Sequence, residues 1–277
     1  MYETLIDAAT LATHLDDGRW VIVDCRFSLA DTEAGRRAYR AAHIPGAVYA
    51  HLDDDLSGPP VTDNGRHPLP TPAALTALFS RLGIGAETQV VAYDDANGMI
   101  AGRLWWMLRY MGHEATAVLD GGWQVWEAAD LPVASGTERN EPASFSGAPR
   151  SEWLVQLAEV PTQPLLVDSR DGARYRGEME TLDPIAGHIP GARNLYFEEM
   201  WGEDGRYLPT DEMAQKLGDV LGETPPDEAV FYCGSGVSAC VNLLALKHAG
   251  MGNGRLYVGS WSEWSRTPGK EIGVGDE

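Results

Sequence analysis

The chain has 277 residues, of which 44% are hydrophobic, and this is enough for one large or two ordinary domains. Its 21 basic and 41 acidic residues give a net charge of −20, which argues against nucleic acid and anionic membrane surfaces as partners. Three cysteines are too few for a disulfide scaffold, and no His/Cys cluster has metal-binding spacing, so we expect no metal.

Residues 1–7 have neither the basic stretch nor the apolar run of a signal peptide. No apolar segment approaches the length of a membrane-spanning helix. We therefore expect a cytoplasmic protein without a membrane partner, in a reducing compartment that keeps thiols free.

In chain order, short apolar strands alternate with helical segments, and the second half of the chain repeats the first. Four pairs of segments match in the same order: 21–26 with 165–170, 43–47 with 188–192, 91–94 with 230–233, and 119–126 with 257–264. The repeat predicts the α/β class, with two tandem domains that each form a parallel sheet with helices on both faces. We place these domains at 1–133 and 151–277, and a linker rich in Gly, Pro and Ser at 134–150.

One segment of the second copy has the pattern of a reactive cysteine. A short apolar strand ends at Cys233, a glycine-rich loop follows, and the next residues are typical of a helix. Gly234 and Gly236 let the backbone turn tightly, so that N–H groups and the helix dipole favour a thiolate there. We therefore predict that Cys233 is a nucleophile and not an inert core residue. Asp94 holds the same position in the first copy, which predicts that the first copy is not catalytic.

Together these features resemble the rhodanese superfamily in its two-domain sulfurtransferase form, over essentially the whole chain. The motifs that carry the resemblance are Asp-x-Arg followed by His-Ile-Pro-Gly-Ala, twice, Gly-x-Trp-x-x-Trp, twice, and the cysteine loop, once. The resemblance implies two rhodanese-like domains, of which the second takes a sulfane sulfur from a small anionic donor onto Cys233 as a persulfide. The acceptor would be cyanide or a thiol, either thioredoxin-like or of low molecular weight. One activated nucleophile serves both half-reactions, so we expect no cofactor.

The cysteine loop is similar to that of mercaptopyruvate sulfurtransferases, which read Cys-Gly-Ser-Gly-Val-Thr-Ala where this chain reads Cys-Gly-Ser-Gly-Val-Ser-Ala. In that group a loop serine, a histidine and an acidic residue form a proton relay, and the matching residues are Ser235, His67 and Asp53. Asp54 and Asp55 adjoin Asp53 and are alternatives to it. The remaining loop residues are predicted to bind the donor; they are Gly234, Gly236, Val237 and Ser238.

Two arginines hold the donor's carboxylate in that group. Arg174 matches the first, but residues 178–184, where the second is expected, contain no arginine, and Arg176 is the candidate to replace it. Relatives that prefer thiosulfate place basic residues directly after the cysteine, whereas Gly234 and Ser235 are uncharged. Mercaptopyruvate is therefore the predicted donor, and thiosulfate, with cyanide as acceptor, is the alternative.

Two other classes of protein deserve comparison. Cysteine phosphatases and arsenate reductases use Cys-x5-Arg, and the sixth residue after Cys233 is Ala239, which argues against oxyanion chemistry of that kind. A carrier that only holds a persulfide for a protein partner would need the same loop, and turnover of a small donor distinguishes it from an enzyme.

The polar residues that occur in both copies are predicted to be structural, because one copy lacks the cysteine. They are Asp24, Arg26 and His43 in the first copy, and Asp168, Arg170 and His188 in the second. Cys25 and Cys240 have no glycine-rich loop around them and are predicted to be core residues.

Overall fold

The computed structural model describes residues 1–59 and 64–276, which form two compact units. Unit 1 contains Met1–Gly58, Pro70–Arg150 and Glu203–Arg206; unit 2 contains Pro59–Leu69, Ser151–Gly202 and Tyr207–Glu277. Segment 59–69 lies in the first sequence copy but belongs to unit 2. Across the described ranges, no helix has both the length and the apolar character needed to cross a membrane.

Unit 1 has a five-stranded parallel sheet. Its strands are β1 (Leu5–Ile6), β2 (Trp20–Asp24), β3 (Val48–Tyr49), β4 (Gln89–Tyr93) and β5 (Thr116–Leu119), in the order β1-β5-β4-β2-β3. Its helices are α1 (Ala8–Ala12), α2 (Ala34–Ala41), α3 (Pro72–Arg81), α4 (Ala101–Tyr110) and α5 (Gly122–Ala128). Every residue of β4 is buried, as expected for a strand whose two faces are both covered.

Local sequence signals place the ends of these helices. Helix α3 begins at Pro72, whose missing N–H costs nothing in the first turn, and the Thr71 side chain caps the Ala74 N–H. Residues 134–150, predicted as a linker, pack within unit 1. Phe145 is buried there with its ring centroid 4.9 Å from that of Phe79.

Unit 2 has a four-stranded parallel sheet. Its strands are β6 (Leu165–Asp168), β7 (Arg193–Asn194), β8 (Ala229–Tyr232) and β9 (Arg255–Leu256), in the order β7-β6-β8-β9. Its helices are α6 (Gly172–Tyr175), α7 (Thr210–Leu221), α8 (Ala239–His248) and α9 (Ser260–Trp264). Two parallel sheets with associated helices confirm the predicted α/β class. The predicted strand before Cys233 and helix after the loop are also confirmed, as β8 and α8.

The Asp-x-Arg motif forms a buried ion pair in each unit. Arg26 donates to both carboxylate oxygens of Asp24 and to the Ala42 carbonyl. Arg170 likewise donates to both carboxylate oxygens of Asp168 and to the Gly187 carbonyl. Each arginine thus ties a strand end to a later loop, which confirms the structural role predicted for the motif.

The histidine of each His-Ile-Pro-Gly-Ala motif is fully buried. His43 Nδ1 lies 2.7 Å from the Tyr39 carbonyl oxygen, and His188 Nδ1 lies 2.8 Å from that of Tyr175. Both rings also stack on the tyrosine that supplies this carbonyl. The matched contacts confirm that these histidines hold the fold.

Candidate active site

Cys233 follows β8 at the carboxyl end of the strand, where parallel sheets place their ligand sites. The residue is buried, with 1% of its surface exposed. Its N–H donates to Ser260 Oγ at 3.1 Å, and its carbonyl accepts from the Trp261 N–H at 3.0 Å. The first turn of α9 therefore holds the backbone of Cys233 on both sides.

Ser260 is a residue that the sequence analysis missed. It has a φ of +54°, a left-handed conformation that is uncommon for a residue with a side chain. Gly122 stands at the matching position of the first copy with a φ of +57°, so the backbone conformation is shared and the hydroxyl is specific to the copy with the cysteine. The replacement of the first copy's glycine by serine is the sequence feature that could have pointed to Ser260.

The loop after Cys233 needs Gly236 for a steric reason. Its φ is +73°, and a Cβ there would lie 2.5 Å from the Val258 carbonyl oxygen. Any side chain would have to displace the strand-to-helix connection before α9.

Several backbone donors of this loop are unused in the part of the chain that the structure describes. The N–H groups without a hydrogen-bond acceptor are those of Gly234, Ser235, Val237, Ser238 and Ala239. The Ser238 side chain does not cap the start of α8 either. Unused donors at a helix N-terminus favour a negative charge, which a thiolate or persulfide on Cys233 would supply.

The first copy shows what this loop shape binds. Asp94 is fully buried, and each of its carboxylate oxygens accepts two backbone N–H bonds of 2.7 to 2.8 Å. The donors are Ala96, Gly98, Ile100 and Ala101. Burial raises the pKa of Asp94, and the four N–H donors oppose that change by stabilising the carboxylate. The loop of unit 1 thus binds an anion supplied by its own chain.

We expect Asp94→Ala to lower the free energy of unfolding of the full-length protein by roughly 2–4 kcal/mol, because it leaves four buried donors without an acceptor. Asp94→Asn keeps one acceptor oxygen and should lose less. Urea unfolding of both variants measures the difference, with the exposed Asp31→Ala as a control for loss of charge. An Asp94→Ala protein as stable as the wild type would contradict this account.

His67 and Ser235 lie together in unit 2. His67 Nδ1 is 2.7 Å from Ser235 Oγ, and the two residues are 5% and 7% exposed. A hydrogen bond this short in a buried place provides a path for a proton between the imidazole and the hydroxyl.

Asp53 belongs to unit 1. Its neighbours are engaged there, Asp54 with Arg36 at 2.7 Å and Asp55 with Arg81.

Three arginines are candidates to bind the donor, and their surroundings differ. Arg174 makes a bidentate ion pair with Glu180, and its Nη2 lies 3.7 Å from the place where a Gly234 Cβ would be. No sequence motif singles out Arg66, but its Nη2 lies 2.9 Å from that same place. Arg176 instead pairs with exposed Glu178 at 2.8 Å, so its observed contacts give no support to the role suggested for it.

The other two cysteines are buried core residues, as predicted. Cys25 is fully buried, and burial raises the pKa of its thiol well above the usual value. Cys240 is also fully buried, and its sulfur lies 3.6 Å from the Gly236 carbonyl oxygen.

Comparisons with known proteins identify the family of the chain. The family described as "Rhodanese-like domain" matches residues 7–129 and 151–267. A Pseudomonas aeruginosa protein named "Probable 3-mercaptopyruvate sulfurtransferase" is 43% identical, over 98% of each chain. Thiosulfate sulfurtransferase of Rattus norvegicus is 31% identical, over 99% of this chain and 96% of its own.

Among solved structures, 3-mercaptopyruvate sulfurtransferase from Leishmania major superposes with a TM-score of 0.85 and 34% identity. The match covers 95% of this chain and 74% of that one. Two matched domains and relatives aligned over nearly their whole length show that the chain belongs to the rhodanese family, as a two-domain sulfurtransferase.

Proposed function

We propose that this sulfurtransferase takes sulfur from 3-mercaptopyruvate onto Cys233 and passes it to a thiol. The observation that carries the proposal is the 2.7 Å contact between His67 Nδ1 and the hydroxyl of Ser235, which lies on the cysteine loop. Such a pair can deliver a proton, and mercaptopyruvate is a donor whose leaving group needs one. The similarity to proteins named for mercaptopyruvate supports the same donor. The catalytic half is residues 151–277 together with the segment that carries His67.

In the first half-reaction the Cys233 thiolate attacks the donor's sulfur. An S–S bond forms, the C–S bond breaks, and its electron pair passes to carbon as the enolate of pyruvate. Ser235 and His67 deliver the proton that this enolate needs, and Asp53 stays the sequence-based candidate for the acidic member of the relay. Pyruvate leaves, and Cys233 holds the transferred sulfur as a persulfide.

The persulfide anion is stabilised by loop N–H groups that have no acceptor among the described residues, including those of Gly234, Val237 and Ser238. Asp94 in unit 1 supports this assignment, since a loop in the matching position holds a carboxylate with its N–H groups. In the second half-reaction an acceptor thiolate, thioredoxin-like or of low molecular weight, attacks the outer sulfur. That step regenerates the Cys233 thiolate, and cyanide can act as acceptor in the same way.

Thiosulfate is the second candidate donor, favoured by the similarity to the rat enzyme that is named for it. Thiosulfate releases sulfite, which needs no proton from the enzyme, and its two charges call for nearby cations. The residues directly after Cys233 are uncharged. This loop therefore suits thiosulfate less well than mercaptopyruvate.

A direct comparison of kcat/KM for the two donors tests the proposal. We expect mercaptopyruvate to be preferred by about tenfold or more, a difference of at least ~1.4 kcal/mol in transition-state stabilisation. A preference for thiosulfate would reject the proposed donor. Formation of a persulfide without turnover by either donor would instead indicate a carrier.

A further inference from the structure

Arg66 lies beside the cysteine loop. The Arg66 N–H donates to Ser262 Oγ at 3.1 Å. Ser262 in turn donates its N–H to the carbonyl of Gly234 at 2.9 Å. The backbone of Arg66 is therefore fixed to the turn of α9 that also holds the cysteine loop.

The Arg66 and Arg174 side chains each use part of the guanidinium for structure and leave part unused. Arg66 Nη1 contacts the Asp183 carboxylate, while its Nη2 has no hydrogen-bond acceptor among the described residues. Arg174 binds Glu180 through Nε and Nη2, while its Nη1 likewise lacks a described acceptor. Both side chains are partly exposed, at 20% and 17%.

The unused nitrogens converge on one place. A Cβ on Gly234 would lie 2.9 Å from Arg66 Nη2 and 3.9 Å from Arg174 Nη1. Gly234 directly follows Cys233, so the two cations meet beside the reacting sulfur. Glycine at this position leaves room for them, since any larger residue would displace Arg66.

We infer that Arg66 and Arg174 together bind the donor's anionic end, with Asp183 and Glu180 as positioning residues that hold the two side chains. This inference rests on the proposed function, because it assigns the second contact for the donor's carboxylate. It replaces Arg176, the sequence-based candidate, with a residue more than 100 positions earlier in the chain.

The charge around this pair selects the donor. Ion pairs within 4.0 Å join four arginines to three carboxylates in one network with a net charge of +1. Its members are Arg66, Arg170, Arg174, Arg266, Asp168, Glu180 and Asp183. A single excess positive charge matches a monoanion such as a carboxylate better than a dianion such as thiosulfate.

The test measures KM and kcat/KM of Arg66→Met, Arg174→Met and Arg176→Met in the full-length protein. We expect Arg66→Met and Arg174→Met each to lower kcat/KM for mercaptopyruvate roughly 10- to 150-fold, mainly through KM, as loss of a charge-assisted hydrogen bond implies. Arg66→Lys, which keeps the charge without the fork, should recover part of the loss. Exposed Arg37→Met is the control for removal of an arginine.

Two further variants separate donor binding from support of the fold. Arg66→Met leaves the buried Asp183 carboxylate without its Arg66 contact, and the double variant Arg66→Met, Asp183→Asn also removes the charge of that carboxylate. If Arg66 binds the donor, the double variant should show the same loss in kcat/KM for mercaptopyruvate as Arg66→Met. Asp183→Asn alone makes the network more positive, so kcat/KM for thiosulfate should rise relative to that for mercaptopyruvate. A purely structural role would lower both values by the same factor and would overturn the charge argument.

A measurement that needs no sulfur donor tests the role of Arg66 independently of the proposed donor. Alkylation of Cys233 by anionic iodoacetate, relative to neutral iodoacetamide, should fall about tenfold or more in Arg66→Met. If the wild type prefers thiosulfate but this ratio still falls, the proposed donor and the charge argument fail, while the role of Arg66 in binding the donor's anionic end stands. An unchanged ratio, or a KM effect in Arg176→Met and not in Arg66→Met, would overturn the inference.

Discussion

Replacing Cys233 by serine is expected to abolish sulfur transfer from every donor. The hydroxyl is far less nucleophilic than a thiolate, and it cannot hold sulfur as a persulfide. Intact mass measured after donor treatment should show one added sulfur atom in the wild type and none in Cys233→Ser. Because serine is nearly the same size and the backbone of Cys233 is fixed by Ser260 and Trp261, the variant should remain folded.

The other two cysteines provide matched controls. Cys25→Ala and Cys240→Ala remove buried thiols that lie away from the glycine-rich loop, and each should still gain one sulfur atom. Sulfur uptake by Cys233→Ser, or its loss in either control that remains folded, would show that the persulfide forms elsewhere.

His67→Ala should reduce mercaptopyruvate turnover by roughly 10²- to 10⁴-fold, the usual contribution of a positioned proton donor. Thiosulfate turnover should fall much less, since sulfite leaves without a proton. The donor preference of the enzyme should therefore collapse or reverse. The measurement is kcat for both donors at saturating concentration, so that a change in donor binding does not enter.

Ser235→Ala supplies the second test of the same pair. If the hydroxyl and the imidazole 2.7 Å away act as one unit, the double variant should be little worse than His67→Ala alone. His14→Ala, in unit 1, controls for removal of a histidine. Equal losses for both donors in His67→Ala, or fully additive effects, would reject a proton relay.

The sequence alone determined the repeat and the fold class, and it located the loop that carries the proposed nucleophile. Each of these depends on residues that are close together in the sequence. A buried strand such as β8 has a run of apolar residues, and the glycines after Cys233 indicate a tight turn before a helix. The Asp-x-Arg pairs were also predictable, because the partners are two residues apart and occur in both copies.

The contacts of the site depended on tertiary structure. His67 meets Ser235 across 168 positions of the chain, and only the similarity of the loop to a known group suggested the pair. Arg66 was missed although it adjoins His67, because no local pattern shows that its side chain reaches Gly234. The sequence places Arg176 two residues after Arg174, but the carboxylate that Arg176 binds is that of Glu178.

Asp94 illustrates the same division. The sequence showed that an aspartate stands where the second copy has its cysteine, and from this alone a loss of function could be predicted. Only the folded loop shows that this carboxylate accepts four N–H bonds. Strand and helix patterns follow from neighbouring residues, whereas the direction of a donor or a guanidinium is settled by packing among residues distant in the chain, so the chemistry of this site was decided by the tertiary structure.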